Sequence, residues 1–245
     1  MPWYFSSLPL ASGRFTLSGE EARHLTRVAR KRPGDEVELF DGNGTVAQAV
    51  IESLRKDEVV LDIKSAQKSP RPQGLSITLA VGIVSADSLS DSLHSSVPSG
   101  IDKFVPLVTE RSQWGHRAKD TDKLVERLKR VAVAACKQCE CPYLPECVEP
   151  ATVDELLTAP PWDAIVIASL APGARDALTV FLELRASCAK SVLLLVGPEG
   201  DFTEVEHNLA LGKGALPARI DPYILRTEHA ACVLTALARN ILGAG

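Results

Sequence analysis

The 245-residue chain has no apolar run near the roughly 20 residues that a bilayer-spanning helix needs, its longest strand-like run being Ser191-Val-Leu-Leu-Leu-Val196. Its first fifteen residues hold prolines, serines and a late Arg14 in place of a basic leader followed by an apolar stretch, so no signal peptide is expected. These absences argue against a membrane protein and predict a soluble, cytoplasmic one. Six cysteines are too few for a disulfide scaffold in a chain of this length, and they read as reduced thiols. Four of them crowd into Cys136-Lys-Gln-Cys139-Glu-Cys141-Pro-Tyr-Leu-Pro-Glu-Cys147. A zinc ribbon wants two C-x2-C knuckles a dozen or more residues apart; this cluster has one knuckle, a C-x-C and a straggler, so no metal is expected. A zinc-stabilised binding module stays open as an alternative. There is no internal repeat, no low-complexity segment, no Gly-Lys-Ser/Thr phosphate loop and no G-x-G-x-x-G fingerprint.

What is present is ordinary for a globular protein, with 45% apolar and 24% charged residues, and suffices for one large domain or two unequal ones. The net charge of -4 is unevenly spread. Positions 21 to 32 hold Arg23, Arg27, Arg30, Lys31 and Arg32 against only Glu21, and a second basic stretch runs from Arg111 to Arg130. Local basic patches on a mildly acidic chain suggest a specific polyanion contact, while solvated helix faces are the plainer reading.

The sharpest composition break is Gln67-Lys-Ser-Pro-Arg-Pro-Gln-Gly74, which reads as a linker between a domain over 1–70 and another over 75–245. Before it, Val37-Glu-Leu-Phe40, Thr45 to Ser53 and Glu58 to Ile63 are Val/Leu/Ile-rich runs separated by Asp41-Gly-Asn-Gly44 and Arg55-Lys-Asp57. Such turns suit antiparallel neighbours, so a small β-barrel or β-sandwich is expected. After it, apolar runs at Ile77 to Ile83, Phe104 to Val108, Ala164 to Ala168 and Val192 to Val196 alternate with longer stretches, the rhythm of a parallel α/β sheet. Leu124, Leu128, Val131 and Ala135 recur at helical spacing with Lys123, Arg127 and Arg130 on other faces. Thr203 with Glu206 makes a capping box, and Glu228 to Leu242 closes the chain as an apolar helix.

Two segments fall where an open α/β sheet places its ligands. Leu194-Leu-Val-Gly-Pro-Glu-Gly200 is a buried strand stopping in Gly-Pro-Glu-Gly, where glycines admit a ligand close to the backbone and Pro198 stiffens the turn. A ligand-free β-to-α turn is the plainer reading. In Ile220-Asp-Pro-Tyr-Ile-Leu-Arg-Thr-Glu-His-Ala230, Thr227 or a neighbour can cap the last helix. Arg226 at a helix start opposes the helix dipole, which favours an anionic ligand as its purpose, with an ion pair to Glu228 or Glu199 as the alternative.

Val196-Gly-Pro-Glu-Gly200 followed by Pro222-Tyr-Ile-Leu-Arg-Thr-Glu-His-Ala230 resembles the signature of the 16S ribosomal RNA uridine-1498 N3-methyltransferase family, within the SPOUT class of knotted methyltransferases. His24-Leu-x-x-Val-x-Arg30-x-x-Pro-Gly-Asp35, then Phe40-Asp-Gly42, resembles that family's PUA-like RNA-binding barrel. The resemblance implies an N-terminal PUA-like β-barrel followed by a SPOUT α/β domain with a C-terminal trefoil knot, acting as a homodimer through its C-terminal helices. It implies S-adenosylmethionine as cofactor and 16S ribosomal RNA or the small ribosomal subunit as partner. Carried over residue by residue, the cofactor would meet Leu170, Val196, Gly197, Pro198, Glu199, Gly200, Ile220, Pro222, Ile224, Leu225, Thr227 and Ala230. Arg226 and Glu199 are the candidate catalytic residues, and Arg23, Arg27, Arg30, Lys31 and Arg32 the candidate RNA contacts.

The chain also departs from that pattern. Asp201 replaces a second Gly after Gly-Pro-Glu-Gly, and Ile220-Asp-Pro-Tyr223 replaces Leu-Gly-Pro-Arg. Ser95-Ser-Val-Pro-Ser-Gly100 replaces Lys-Ala-Thr-Glu-Leu-Gly, and Cys141 stands for the Arg that follows the retained Gln138, while Thr109-Glu-Arg-Ser112 is kept. A non-catalytic RNA binder on the same fold, or a methyltransferase with another RNA target, is therefore an alternative.

Overall fold

The computed structural model describes residues 2–55, 57–70, 74–112, 121–159, 161–220 and 223–243. It divides into two compact units, Met1–Arg71 with Cys136–Leu144, and Pro72–Ala135 with Pro145–Gly245.

In the N-terminal unit the strands are β1 (Trp3–Phe5), β2 (Gly13–Ser18), β3 (Glu36–Phe40), β4 (Thr45–Leu54) and β5 (Glu58–Lys68). Among the described residues they form one sheet in the order β1-β3-β4-β5-β2, antiparallel except for the β1–β3 pair. Strand β4 shows why the sheet has an inside. Ala47, Ala49 and Ile51 are buried while Gln48 and Glu52 face water, the period-2 alternation of a half-buried strand. Two register shifts, at Gln48/Ala49 and Ile51/Ser53, bend this long pair. The buried side chains join Tyr4, Leu17, Leu25, Val37, Leu39 and Leu61 in a single core.

The Asp41-Gly-Asn-Gly44 turn is built as the sequence suggests. The Asp41 carboxylate accepts the Asn43 and Thr45 amides at 2.8 and 2.9 Å. Gly44 has φ 98°, and a Cβ there would lie 2.3 Å from the Tyr143 hydroxyl, so only glycine fits. Strand β5 runs to Lys68, five residues beyond the expected strand and into the segment read as linker. Its extension pairs with the first residues of β4, whose own start is fixed by that turn. A short helix, α1 (Gly19–Arg23), leads directly into a π-helical turn at His24–Val28.

The second unit contains β6 (Ser76–Gly82), α2 (Ala86–Ser96), β7 (Lys103–Val108), α3 (Thr121–Cys139), β8 (Glu146–Cys147), β9 (Ala151–Thr152), α4 (Val153–Thr158), β10 (Ala164–Ala168), β11 (Arg175–Asp176), α5 (Ala177–Arg185), β12 (Ser191–Val196), α6 (Glu204–Gly212), β13 (Leu216–Arg219) and α7 (Thr227–Leu242); the end of α3 groups with the N-terminal unit. The sheet is parallel throughout the described pairs, in the order β11-β13-β10-β12-β6-β7-β8 with β9 beside β7. Strands β6 and β12 are almost wholly buried, as expected of a parallel sheet covered by helices. On α3, Leu124, Leu128, Ala132 and Ala135 are buried along one stripe, while Arg127 on another face donates to Ser90 and pairs with Asp87. Thr203 and Glu206 form the anticipated capping box of α6. No helix among the described residues is long and apolar enough to cross a membrane.

Candidate functional site

Three neighbouring strands, β13, β10 and β12, end on the same edge of the parallel sheet, so the loops that follow them converge. Together with the first turn of α7 they enclose a cavity of about 310 Å³, within the range of small-molecule sites. The β10 loop contributes Ser169 and Leu170, the β12 loop Gly197, Pro198, Glu199 and Asp201, and the segment after β13 Ile220 and Ile224 to Thr227. Val196 and Ala230 complete the candidate set that faces the cavity. Gly200 lies outside the lining, and Pro222 falls outside the described residues.

The Gly-Pro-Glu-Gly loop is braced from several sides. A Cβ on Gly82, at the end of β6, would lie 2.4 Å from the Pro198 nitrogen, so glycine is required there for the loop to close over the sheet. The Arg111 guanidinium donates to the Gly200 carbonyl at 2.6 Å, which accounts for part of the retained Thr109-Glu-Arg-Ser112 motif. The rest of that motif is a turn in which the Ser112 hydroxyl meets Thr109, while the Glu110 amide donates to Glu206 on α6 at 2.8 Å. Asp201 adopts φ 62°, the left-handed region that glycine favours and that Asn and Asp tolerate better than most other residues.

Arg226, not Thr227, occupies the cap position of α7, and its side chain makes no capping bond. The buried Thr227 hydroxyl instead donates to the Gly197 carbonyl at 3.1 Å, so its polar group holds two cavity loops together. Arg226 is exposed and, among the described residues, has neither a hydrogen bond nor an ion pair, which removes the expected pairing with Glu228 or Glu199. A cation at a helix start with no structural partner is available to an anionic ligand.

Sequence reading missed the pairing of Ser169 with His207. The buried Ser169 hydroxyl lies 2.9 Å from Nε2 of His207 and accepts the Ala171 amide at 3.1 Å. Which of the two donates follows the His207 tautomer: the hydroxyl gives its proton to an unprotonated Nε2 or accepts from a protonated one. The pair is 38 positions apart on different elements, and no motif marks it.

The N-terminal basic residues separate into two groups. Arg23 pairs with Asp57 at 2.9 Å and Lys31 donates to the Glu36 carbonyl at 3.2 Å. Arg27, Arg30 and Arg32 are exposed, with no side-chain partner among the described residues. In the cysteine cluster Cys136 and Cys147 are buried and Cys139 and Cys141 half-buried, and no three candidate metal ligands come together among the described residues. Burial pushes the Cys147 thiol up to about 12 and also raises Cys139.

A family model described as an RNA methyltransferase domain matches residues 71–239, and one described as an RNA methyltransferase PUA domain matches 17–64. The chain is 26% identical to ribosomal RNA small subunit methyltransferase E of Bacillus subtilis, over 88% of this chain and 86% of that one. It is also 26% identical to the Mycobacterium bovis protein of the same name, over 95% and 88% respectively. Among solved structures, a ribosomal RNA small subunit methyltransferase E from Neisseria gonorrhoeae bound to S-adenosylmethionine superposes with a TM-score of 0.87 at 26% identity, covering 98% of this chain and 97% of that one. A Legionella pneumophila protein with the same cofactor bound gives 0.89 at 26% identity, covering 97% and 96%.

Proposed function

The chain belongs to the RNA methyltransferase family, and from that premise we propose that it methylates N3 of a uridine in 16S ribosomal RNA, with S-adenosylmethionine as donor. The observation that carries the reading is the cavity lined both by the Gly-Pro-Glu-Gly loop and by Arg226, which has no partner among the described residues.

The residues present fit the donor. Leu170, Val196, Ile220 and Leu225 give an apolar slot of the kind an adenosine needs, and loop backbone supplies polar groups without bulky side chains. Glu199 sets a carboxylate at the exposed part of the lining, complementary to a cationic donor. When bound, S-adenosylmethionine supplies an electrophilic methyl carbon on its sulfonium sulfur. The uracil imide must lose its N3 proton, and the negative charge that develops spreads onto its carbonyl oxygens. Arg226 is the group suited to hold that charge, and backbone amides add to it. Holding acceptor and donor in line supplies much of the remaining rate.

The reading extends to the fold and assembly. Residues 1–70 serve as a PUA-like RNA-gripping domain and 75–245 as a SPOUT domain whose cavity loops form a trefoil knot. The half-buried Val233, Leu237, Ile241 and Leu242 on α7 support a homodimer, and a ribosomal RNA substrate fits a cytoplasmic protein.

The test is transfer of labelled methyl from S-adenosylmethionine to small ribosomal subunits lacking the modification, followed by nucleoside analysis. Label in N3-methyluridine is expected. Label in another nucleoside would keep the methyltransferase and correct its target, and donor binding without transfer would favour the non-catalytic RNA binder.

A further inference from the structure

We infer that Tyr223 and Ile224 form the platform on which the target nucleobase rests beside the donor cavity, an inference that rests on the methyltransferase reading above. The two side chains are 80% and 78% exposed, the highest values for large hydrophobic side chains among the described residues. Adjacent exposure on this scale is unfavourable in water unless something covers the pair. On the α7 side Leu225 is half-buried and Thr227 is buried and bonded to Gly197. The loop is thus fixed at its α7 end, while Tyr223, Ile224 and Arg226 face water.

Three features identify the occupant as a nucleobase. Ile224 belongs to the cavity lining and is also open to solvent, so the apolar surface is continuous with the place where the methyl donor would lie. Arg226, two residues on, is exposed and has no partner among the described residues, so it sets a cation beside that surface where the charge developing on the base would lie. A base acted on at its pairing edge has to leave its stack, and the lost stacking must be replaced by a flat apolar surface within reach of the reacting carbon. An aromatic ring next to a branched aliphatic side chain, flanked by a cation, offers that combination. Tyr223 also stands where the resembling family carries Arg, so in this chain the position offers a ring and no charge. Affinity gained through it should then be insensitive to salt, unlike affinity gained through cations that meet phosphates.

The experiment measures methyl transfer to small ribosomal subunits for the parent and for Tyr223→Ala, Tyr223→Leu and Tyr223→Phe, with donor affinity by calorimetry and mass by light scattering. Tyr223→Ala and Tyr223→Leu are expected to raise the RNA KM about tenfold or more, with a much smaller change in kcat, an unchanged salt slope and unchanged donor affinity. Tyr223→Phe should rescue the KM, because the ring and not the hydroxyl does the stacking. An RNA KM equal to the parent's in Tyr223→Ala, or rescue by Tyr223→Leu as complete as by Tyr223→Phe, overturns the platform. So does a fall in molecular mass in Tyr223→Ala, which would assign the ring to contact with a second copy. A parent protein that binds the donor yet transfers no methyl instead overturns the methyltransferase reading on which the platform rests.

Discussion

The Thr227 hydroxyl donates to the Gly197 carbonyl at 3.1 Å and so ties the first turn of α7 to the loop after β12. Both residues line the cavity, and the bond spans 30 positions of sequence. Thr227→Val keeps the shape and removes the donor, leaving a partly buried carbonyl without it. A loss of about 1 kcal/mol is expected in urea unfolding, together with weaker binding of S-adenosylmethionine in calorimetry. Thr227→Ser should restore both. Unchanged donor affinity in Thr227→Val would mean that the tie serves stability alone.

Asp201 carries a backbone conformation that its side chain only partly compensates. At φ 62° a β-substituted residue pays roughly 1–2 kcal/mol relative to glycine, and Asp201 offsets some of this by accepting the Phe202 amide at 2.8 Å. Asp201→Gly should therefore be tolerated or mildly stabilising, and Asp201→Val should cost about 1–2 kcal/mol. Chemical denaturation of the two variants measures the difference directly. Equal stability of both would show that the loop relaxes out of the left-handed region.

How much could be read from sequence depends on the physics of each element. The strands β6, β7, β10 and β12 were legible because both of their faces are buried, and continuous apolar runs leave a signal in composition alone. Strand β13 was not, because Pro217 sits inside it and proline usually demotes a strand, although here it pairs with Ile167 in the parallel register. The Gly-Pro-Glu-Gly and Ile-Leu-Arg-Thr segments could be picked out by residue type. Their meeting could not, since it follows from the strand order β13-β10-β12, which brings strands distant in sequence side by side. Ser169 with His207, and Arg111 with Gly200, escaped for the same reason: each is a single contact between distant elements.

The thiols should divide sharply by burial. Cys188 is exposed, whereas Cys136 and Cys147 are buried and Cys147 is pushed up to about 12. At pH 8 an alkylating reagent should label Cys188 first and reach Cys147 only on unfolding, as peptide mass mapping over time would report. The same burial makes stability depend on pH. Below the ordinary thiol value near 9 the group is protonated in both states and contributes no pH dependence. Between 9 and about 12 the unfolded chain can release the proton while the folded one keeps it, so stability should fall by up to about 1.4 kcal/mol per pH unit. Cys147→Ala should flatten that decline, and labelling of Cys147 as fast as Cys188 in the native protein would contradict the burial.

The basic residues of the N-terminal unit give the clearest separation of RNA contact from donor binding. Arg23 already has Asp57, and Lys31 has the Glu36 carbonyl, whereas Arg27 and Arg32 are exposed with no side-chain partner among the described residues. If these two meet phosphates, the double variant Arg27→Ala/Arg32→Ala loses two counterion-releasing contacts. The slope of log affinity against log salt should then fall in magnitude by about 1.4–1.8. RNA affinity should drop most at low salt and converge on the parent at high salt, while S-adenosylmethionine binding stays unchanged. Arg23→Ala is the internal control, since breaking an exposed pair costs at most about 1 kcal/mol of stability and removes no free cation from the surface. Filter binding of small-subunit RNA across a salt series measures all three proteins side by side. A double variant with the parent's slope would return Arg27 and Arg32 to the role of a solvated surface and move the search for the RNA contact to Arg30 and the segment beyond Arg111.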